Sequence, residues 1–350
     1  MLDILIVSNE SCGKTALCAA LGKRLLAKGK KTGYFNPVRL SNNGSLTNNR
    51  DAIFVKEILE LNESAELLSP SAYSSKELWS QLSGEPDVFT RNIKNSHSEI
   101  AKGKDVVLVE GLSGLNKDNV STLACYKIAE ALDARVIILL KYHTDLSPST
   151  VVRSSEELGE KLLGVIINFA PEDKLETLKQ SITESFDKAG IKVFGILPET
   201  RSLLGISVKE LGEAVDGSLA TRDTNTDEIV ENIMLGVMTL DSGIDYFKRK
   251  KDKAAVIRGE RADMQLAALQ TPTKCLVLTN NIKPLASVVS EAESKHIPVL
   301  VTSKDADSIV ADLENALATS SFNSPKKMKK FEELLDKYLD IKYLFAAINI

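Results

Sequence analysis

The chain is poor in several residue types that particular classes of protein need. Aromatic residues make up 5% of its 350 residues, with one tryptophan, Trp79, so stacking platforms for bases or sugars are not expected. Its 44 basic and 48 acidic side chains nearly cancel, and a net charge of −4 argues against a nucleic-acid partner held by bulk electrostatics. No apolar run reaches the roughly 18 residues of a membrane-spanning helix, so no membrane partner is expected.

Cysteine and histidine are equally scarce and widely spaced. The four cysteines include no Cys-x-x-Cys pair, and the three histidines lie far apart in sequence. This spacing argues against a structural zinc site and favours free thiols in a reducing compartment. The apolar N-terminal run carries Asp3 rather than basic residues, so it is not a secretory signal, and we expect a cytoplasmic protein.

The composition is otherwise that of a folded protein, with 43% hydrophobic and 26% charged residues, and the length predicts two domains. Over residues 1–200, Val/Ile/Leu-rich runs alternate with amphipathic stretches, which predicts an α/β domain with an open parallel sheet and helices on both faces. The predicted strands are Ile4–Val7, Thr32–Phe35, Asp105–Glu110, Arg135–Leu140, Gly164–Asn168 and Lys192–Leu197. The predicted helices are Lys14–Lys28, Ala52–Leu61, Ser121–Leu132 and Glu172–Ala189.

Beyond Pro198 the alternation continues on a smaller scale, so residues 201–317 predict a second α/β domain. Its predicted helices are Asp227–Met238, Asp263–Leu269, Leu285–Lys295 and Asp305–Leu317, and its predicted strands are Ala254–Ile257, Cys275–Leu278 and Val299–Val301. The remaining segment, 318–350, predicts a Ser/Thr/Asn-rich linker over Ala318–Pro325 and an amphipathic helix over Lys326–Ala346.

A phosphate-binding motif follows the first predicted strand. The stretch is Ser8-Asn9-Glu10-Ser11-Cys12-Gly13-Lys14-Thr15. Its spacing matches G-x-x-x-x-G-K-[ST], with Ser8 in place of the first glycine. Backbone N–H groups at the start of the helix form a nest for phosphate, Lys14 is placed to reach the terminal phosphates, and Thr15 is placed to ligate Mg²⁺. We therefore predict that Ser8–Thr15 binds ATP or GTP with Mg²⁺; the alternative is a Gly-Lys-Thr helix cap without a ligand.

Cys12 lies inside this nest, where the start of a helix stabilises a thiolate. One hypothesis is that oxidation or alkylation of Cys12 blocks nucleotide binding. The plainer interpretation is that Cys12 is a small, tolerated residue.

Residues 1–200 resemble dethiobiotin synthetase and its P-loop relatives at Ser8–Thr15, Asn36–Val38, Val109–Gly114 and Gly164–Asn168. More widely, the chain to about residue 340 resembles the N-terminal half of long bacterial phosphotransacetylases, which joins a dethiobiotin-synthetase-like domain to a DRTGG domain. The stretches that carry this wider resemblance are Gly33–Val38, Asp51–Phe54, Gly195–Glu199, Gly259–Asp263, Gln265–Leu269 and Thr273–Asn280.

The resemblance implies roles for further residues of the first domain. Asp51 and Glu110 fall where the synthetases place acidic magnesium-site residues, which makes Thr15, Asp51 and Glu110 the expected metal set. Lys14, Thr15 and Glu110 are the expected catalytic residues, and Asn168 is expected to contact the adenine edge. The residues themselves leave alternatives open: a capping or salt-bridged acid for Glu110, and an ordinary helix N-cap for Asp51.

Two departures from the families bear on activity. Asn36 stands where the synthetases have a lysine, and an amide cannot neutralise a transferring phosphoryl group. Arg39 is the nearest basic residue, and whether Asn36 abolishes synthetase chemistry stays open. The acetyltransferase half of phosphotransacetylase needs a further large domain beyond Ile350, so we do not expect an active phosphate acetyltransferase.

In the second domain, a loop rich in charge follows the predicted strand Ala254–Ile257, at the end of a strand where open sheets bind ligands. The candidate effector residues are Arg258, Arg261, Asp263, Thr279 and Asn280. The alternative is a salt-bridged turn with a helix cap.

Three functions stay open on the sequence alone. The leading one is an Mg²⁺-dependent, nucleotide-binding regulatory or switch protein, with slow NTPase activity and a DRTGG module for sensing an unidentified small molecule or for dimerisation. The second is an ATP-dependent ligase acting on a small carboxylate or amine. The third is a scaffold that docks a separate acetyltransferase. The resemblance also implies a homo-oligomer, a dimer or higher.

Overall fold

The computed structural model describes residues 1–41, 49–85, 87–115, 120–236, 243–318, 322 and 324–350. The chain forms two units: the first is Met1–Glu199 together with Phe331–Ile350, and the second is Thr200–Lys330. Of the predicted linker, residues 319–321 and 323 lie outside the described part of the chain. No helix within the described ranges is long and apolar enough to cross a membrane.

The first unit is built on a six-stranded parallel sheet with the order β2-β5-β1-β6-β7-β8. All six strands predicted from apolar runs are confirmed, and a short β3–β4 pair was not predicted. The strands are β1 (Leu2–Ser8), β2 (Thr32–Phe35), β3 (Arg39–Leu40), β4 (Ala72–Tyr73), β5 (Val106–Ser113), β6 (Arg135–Lys141), β7 (Leu162–Ala170) and β8 (Val193–Pro198).

Burial on both faces explains why these strands read as continuous apolar runs. In β1, Ile4–Val7 are at most 1% exposed, because helices cover the sheet on each side. Strand β1 lies between β5 and β6, so the strand order reverses around it. Ligands of open α/β sheets bind at such a reversal, outside the carboxyl ends of the strands.

The helices of the first unit confirm the four predicted ones within a few residues at their ends. The three helices between residues 65 and 100 and the helix over Ser149–Leu158 were not predicted. The helices are α1 (Lys14–Ala27), α2 (Arg50–Leu59), α3 (Ala65–Leu68), α4 (Ser75–Ser83), α5 (Val88–Ile100), α6 (Val120–Ala131), α7 (Ser149–Leu158) and α8 (Leu175–Lys188).

The second unit contains a five-stranded sheet with the order β10-β15-β14-β13-β12, parallel except for β10. The strands of the whole unit, including β9 and β11 outside this sheet, are β9 (Ile206–Ser207), β10 (Ser218–Leu219), β11 (Ile229–Val230), β12 (Asn232–Gly236), β13 (Lys253–Arg258), β14 (Thr273–Thr279) and β15 (Val299–Val301). Alternate residues of β13, such as Ala255 and Val256, enter two separate apolar cores, so both faces of this sheet are buried.

Helices cover both faces of this second sheet. Helices α11, α12 and α13 contribute to one core, and α10 and α14 contribute to the other. The helices are α9 (Arg201–Leu204), α10 (Val208–Ala214), α11 (Gly243–Phe247), α12 (Ala262–Leu269), α13 (Ala286–Ser294) and α14 (Ala306–Ala318).

The predicted helix over Asp227–Met238 is wrong. This segment forms β11 and β12 up to Gly236, and β12 pairs in parallel with β13. The prediction rests on the continued α/β alternation, but pairing along an open sheet edge outweighs a weak local preference for helix.

The predicted single helix over Lys326–Ala346 is also wrong, because two helices occupy this segment. They are α15 (Pro325–Tyr338) and α16 (Ile341–Ala347). Leu339 leaves the helix and forms an antiparallel bridge with Gly195 of β8. The Asp340 side chain then caps α16 by accepting a hydrogen bond from the Tyr343 N–H.

Candidate functional site

The predicted phosphate loop lies at the carboxyl end of β1, where the strand order of the first sheet reverses. Gly13 has a φ of 99°, a left-handed conformation that side chains disfavour, and α1 begins at the next residue, Lys14. The start of α1 therefore leaves unpaired N–H groups at the carboxyl end of β1, as an anion site requires. We refer to Ser8–Thr15 as the P-loop.

Neighbouring strand ends hold the P-loop in place. Asn9 Oδ1 accepts a hydrogen bond of 3.0 Å from the backbone N–H of Lys141, at the end of β6. Asn168, on β7, donates from Nδ2 to the Cys12 carbonyl at 2.9 Å, and its own Oδ1 accepts from the Phe169 N–H. Asn168 therefore holds the loop in place through the Cys12 carbonyl. A contact between Asn168 and adenine stays a prediction.

The Lys14 ammonium is bound by two hydroxyls. Its Nζ donates to Ser8 Oγ at 3.1 Å and to Ser113 Oγ at 2.5 Å. Lys14 is 9% exposed, so its charge is largely withdrawn from solvent. A buried ammonium held by neutral hydroxyls attracts an anion strongly, because little water competes for it.

Thr15 lies beside a buried carboxylate. Its hydroxyl donates to Glu110 Oε1 at 2.8 Å, and the Tyr34 hydroxyl donates to Glu110 Oε2 at 2.7 Å. Burial raises the pKa of Glu110, and the Lys14 charge opposes that rise. Within the described residues Glu110 neither caps a helix nor forms a salt bridge; it accepts hydrogen bonds from two buried hydroxyls.

Asp51 also lies in this electrostatic environment. Burial raises its pKa, and the positive charges of Lys14 and Arg39 oppose the rise. Helix α2 begins at Arg50, and Asn49 holds the cap position, so the N-cap interpretation of Asp51 is wrong. Asp51 stays a predicted metal-site residue on the basis of the charges around it.

The oxygen donors fit a hard divalent cation. A carboxylate and a hydroxyl already meet at the Glu110–Thr15 contact, and Mg²⁺ prefers such ligands together with phosphate and water oxygens. Within the described residues, no three His, Cys, Asp or Glu side chains group closely enough to hold a metal by themselves. Phosphate would therefore have to complete the coordination of any Mg²⁺ at this position.

The prediction of a stabilised thiolate at Cys12 is wrong. Cys12 is 1% exposed, its Sγ contacts the Leu139 carbonyl at 3.5 Å, and burial raises its pKa to about 11. Desolvation outweighs the attraction of the nearby Lys14 charge. Cys12 is a packed thiol, as the plainer interpretation holds.

A cavity of about 550 Å³ adjoins the P-loop. Its wall is formed by Asn9, Glu10, Ser11, Leu40, Ser75, Ser113, Gly114, Val120 and Ser121. Glu10 on this wall faces His143 at 3.1 Å and Lys141 at 3.8 Å. The volume falls within the range of ordinary small-molecule sites.

Two functional candidates were missed by the sequence analysis. Tyr34 lies in the second strand, directly before Phe35, and Ser113 lies three residues after Glu110. Both reach the site from strands that neighbour each other in the sheet, so only the strand order reveals them. The sole sequence signal is that Ser113 lies in a stretch that resembles the synthetases and Tyr34 in one that resembles the phosphotransacetylases.

In the second unit, the structure brings some of the candidate effector residues together. Arg258 pairs in register with Thr279, which is 1% exposed. Arg261 donates to both carboxylate oxygens of Asp263 at 2.9 and 2.7 Å, and this lowers the pKa of Asp263 to about 2. The salt-bridged turn is thus present. Asn280 follows β14 with a φ of 63°, and the effector role of this group stays a prediction.

Parts of this chain are similar to known proteins. Phosphate acetyltransferase of Haemophilus influenzae is 25% identical over 299 residues, covering 76% of this chain and 40% of that protein. The ATP-dependent dethiobiotin synthetase BioD of Methanococcus vannielii is 25% identical over 210 residues, covering 58% of this chain and 96% of that protein. Among solved structures, the MinD cell division protein of Aquifex aeolicus is 18% identical with a TM-score of 0.37, covering 58% of this chain and 85% of that one.

The chain spans 40–52% of the length of the phosphate acetyltransferases that it matches. The resemblance to their N-terminal part and to dethiobiotin synthetase is confirmed. Residues 210–316 match the DRTGG domain, and residues 4–206, which contain the P-loop and the parallel sheet, match the AAA domain. Since the second match covers more than half of the sequence, the chain belongs to the AAA domain family, with a DRTGG domain following its P-loop domain.

Proposed function

We propose that the first unit binds a nucleoside triphosphate with Mg²⁺ and that the protein works as a regulatory or switch protein. The observation that carries this is the meeting of three groups at the start of α1, next to Ser113 on the wall of the cavity. These groups are the Lys14 ammonium, the Thr15 hydroxyl and the Glu110 carboxylate. A triphosphate needs a positive charge, a cation ligand and an N–H nest in this arrangement.

Each of these groups has its own task in the proposal. Lys14 binds the distal phosphate oxygens, and the N–H groups at the start of α1 bind the phosphate nearer the nucleoside. Thr15 and Glu110 are the residues that would hold Mg²⁺, and Tyr34 fixes the Glu110 carboxylate. Bound Mg²⁺ supplies neutralisation of phosphate charge.

The position of Asn36 supports a binding or switch role over fast catalysis. Asn36 is 7% exposed, and no side chain in the described part of the chain donates a hydrogen bond to its Oδ1. A neutral amide here leaves the transferring phosphoryl group with one cation fewer than the synthetases have. Slow hydrolysis with either ATP or GTP is therefore the proposed chemistry.

A ligase acting on a small carboxylate or amine is the second candidate. The similarity to a dethiobiotin synthetase along 96% of that protein favours it, as does a cavity beside the P-loop large enough for a small substrate. Phosphate release that rises severalfold on addition of a small amine or carboxylate would support the ligase. Release that is slow and independent of such additions supports the switch.

The DRTGG domain is proposed as a sensing or dimerisation module. The pairing of Arg258 with Thr279 at the carboxyl edge of the second sheet supports an effector site there for an unidentified small molecule. A scaffold role, with a separate acetyltransferase as partner, is the proposal that remains if nucleotide binding fails.

A thermal-shift panel tests the nucleotide proposal. Wild-type protein is heated with ATP, GTP, ADP or AMP, each with Mg²⁺ or with a chelator. At a concentration of about 100 Kd, a ligand of the native state adds about 2.7 kcal/mol to the free energy of unfolding, which raises Tm by roughly 5–10 °C. A triphosphate shift that depends on Mg²⁺ supports the proposal, and Tm values unmoved by every nucleotide would overturn it.

A further inference from the structure

A hydroxyl outside the P-loop motif lies beside its lysine. Ser113 Oγ is 2.5 Å from Lys14 Nζ, and Ser8 Oγ is 3.1 Å from the same nitrogen. Ser8 is fully buried, whereas Ser113 is partly exposed and lines the cavity of about 550 Å³. Of the two hydroxyls, Ser113 is therefore the one that a ligand in the cavity would meet.

An irregularity in the sheet brings Ser113 to this position. Strand β1 advances by two residues from Ile6 to Ser8, while β5 advances by three from Glu110 to Ser113. The extra residue makes Ser113, rather than the residue before it, the partner of Ser8. Bulges of this kind re-aim side chains next to functional sites.

Gly111 permits the close approach of β1 and β5 at the bulge, and backbone hydrogen bonds fix the position of Ser113. A Cβ on Gly111 would lie 2.7 Å from Val7 Cγ1, so the two strands approach too closely for a side chain there. Beyond the bulge, the N–H groups of Gly114 and Leu115 both donate to the Ser8 carbonyl at 3.0 Å. Ser113 is thus held on both sides by backbone that is tied to the P-loop.

The hydroxyl protons can be assigned from these contacts. An ammonium only donates, so both serine oxygens accept from Lys14. Ser8 Oγ lies 2.6 Å from the Glu10 carbonyl and 3.3 Å from Ser113 Oγ, and we assign its single proton to the shorter contact, with Glu10. No residue in the described ranges accepts the Ser113 proton. Ser113 therefore has a hydroxyl donor available on the cavity wall, next to the lysine charge.

We propose that Ser113 is a ligand of the distal phosphate of the bound triphosphate and that it also positions the Lys14 ammonium. This inference rests on the proposed nucleotide function. In it, the Ser113 O–H donates to an oxygen of the terminal phosphate while its oxygen keeps accepting from Lys14. A diphosphate lacks that terminal group, so Ser113 makes the site prefer a triphosphate over a diphosphate.

The test compares two ligands, ADP and the β,γ-imido analogue of ATP, each as its Mg²⁺ complex. The Kd of each is measured by titration calorimetry on the full chain. The variants are Ser113→Ala and Ser113→Thr, which keeps the hydroxyl. The matched control is Ser181→Ala, an exposed serine on α8 that does not line the cavity. A thermal melt of each variant without ligand checks that it folds.

We expect Ser113→Ala to reduce the preference for the triphosphate analogue about tenfold, equivalent to about 1.4 kcal/mol. Ser113→Thr and Ser181→Ala are expected to retain the wild-type preference. Equal weakening of both ligands by Ser113→Ala, or no change in either, would overturn the role of Ser113 and leave the nucleotide proposal standing. Wild-type protein that binds neither ligand would instead overturn the nucleotide proposal, and this inference with it.

Discussion

The Thr15 hydroxyl donates a 2.8 Å hydrogen bond to the carboxylate of Glu110, 95 residues further along the chain. Thr15 lies in the first turn of α1, which follows β1, and Glu110 lies on β5, the strand that pairs with β1. A hydroxyl and a carboxylate in contact are two of the oxygen ligands that a phosphate-bound Mg²⁺ prefers. This contact leads to the first two predictions.

Glu110→Gln is expected to remove most of the Mg²⁺ dependence of nucleotide binding. The amide retains the shape and one acceptor for Thr15, but it loses the negative charge that favours a cation. The ratio of ATP Kd values in chelator and in Mg²⁺ measures this, and we expect the ratio to fall at least tenfold. Glu130→Gln, an exposed acid on α6, is the control. An unchanged ratio in Glu110→Gln would remove Glu110 from the metal set.

The same variant is expected to change how stability depends on pH. Because burial raises the pKa of Glu110 above its ordinary value of 4.5, the folded protein holds this proton more tightly than the unfolded chain. Stability from this group is therefore complete below about pH 4.5 and is lost as the pH rises through the folded-state pKa. The Glu110→Gln variant does not lose stability in this way, because its amide has no proton to release.

Denaturant unfolding of the two proteins at several pH values measures the effect. The free energy of unfolding of Glu110→Gln, minus that of the wild type, should increase as the pH rises from 4.5. Asp51 is present in both proteins, so its own titration largely cancels in the difference. A difference that is flat or falls with pH would contradict the burial account of Glu110.

The cysteines are expected to resist alkylation in the folded protein. All four are buried, and burial raises the pKa of Cys12 to about 11, so thiolate and access are both lacking at neutral pH. Mass spectrometry after treatment with iodoacetamide at pH 7.5 should show no rapid labelling of native protein and four labels after denaturation. Fast labelling of native Cys12 would restore the thiolate hypothesis.

Gly195→Ala is expected to loosen the C-terminal segment, Phe331–Ile350. A Cβ at position 195 would lie 2.5 Å from the Tyr338 carbonyl oxygen, where the segment pairs with β8. Overpacking of this kind costs about 1–3 kcal/mol. Limited proteolysis should therefore cut near Leu339 faster in the variant than in the wild type.

Gly29→Ala is the control for this variant. Gly29 has a φ of 76° with nothing within 4 Å of its Cβ position, so alanine adds backbone strain of roughly 1–2 kcal/mol but no collision. The segment should remain as protected in Gly29→Ala as in the wild type. Equal proteolysis of both variants would mean that general destabilisation, not the contact at Tyr338, explains the cutting.

Local signals were sufficient for much of this architecture. The apolar runs predicted all six strands of the first sheet, because strands buried on both faces need side chains such as those of Ile4–Val7 on each side. The P-loop was predictable because eight consecutive residues carry its chemistry. In both cases the information lies within a few residues of sequence.

Long-range contacts explain what the sequence did not show. Ser113 reaches Lys14 only because a bulge shifts the register between β1 and β5, and no local pattern marks that bulge. The position of Cys12 at the start of a helix predicts a lowered thiol pKa, but its burial in the folded chain raises that pKa instead. The segment 227–236 contains strands rather than a helix because β12 pairs with β13. The local sequence does not reveal that this pairing partner exists.

The central claim is that Lys14 and the P-loop bind a nucleoside triphosphate. Equilibrium titration of ATP with Mg²⁺ into wild type, Lys14→Ala and Lys188→Ala tests it most directly, since Lys188 is an exposed lysine at the end of α8. Loss of a charged hydrogen-bond donor should weaken binding by about 1.5–3 kcal/mol, or roughly 10- to 150-fold, in Lys14→Ala. Wild-type affinity is expected in Lys188→Ala. Binding that survives unchanged in a folded Lys14→Ala protein would contradict the account.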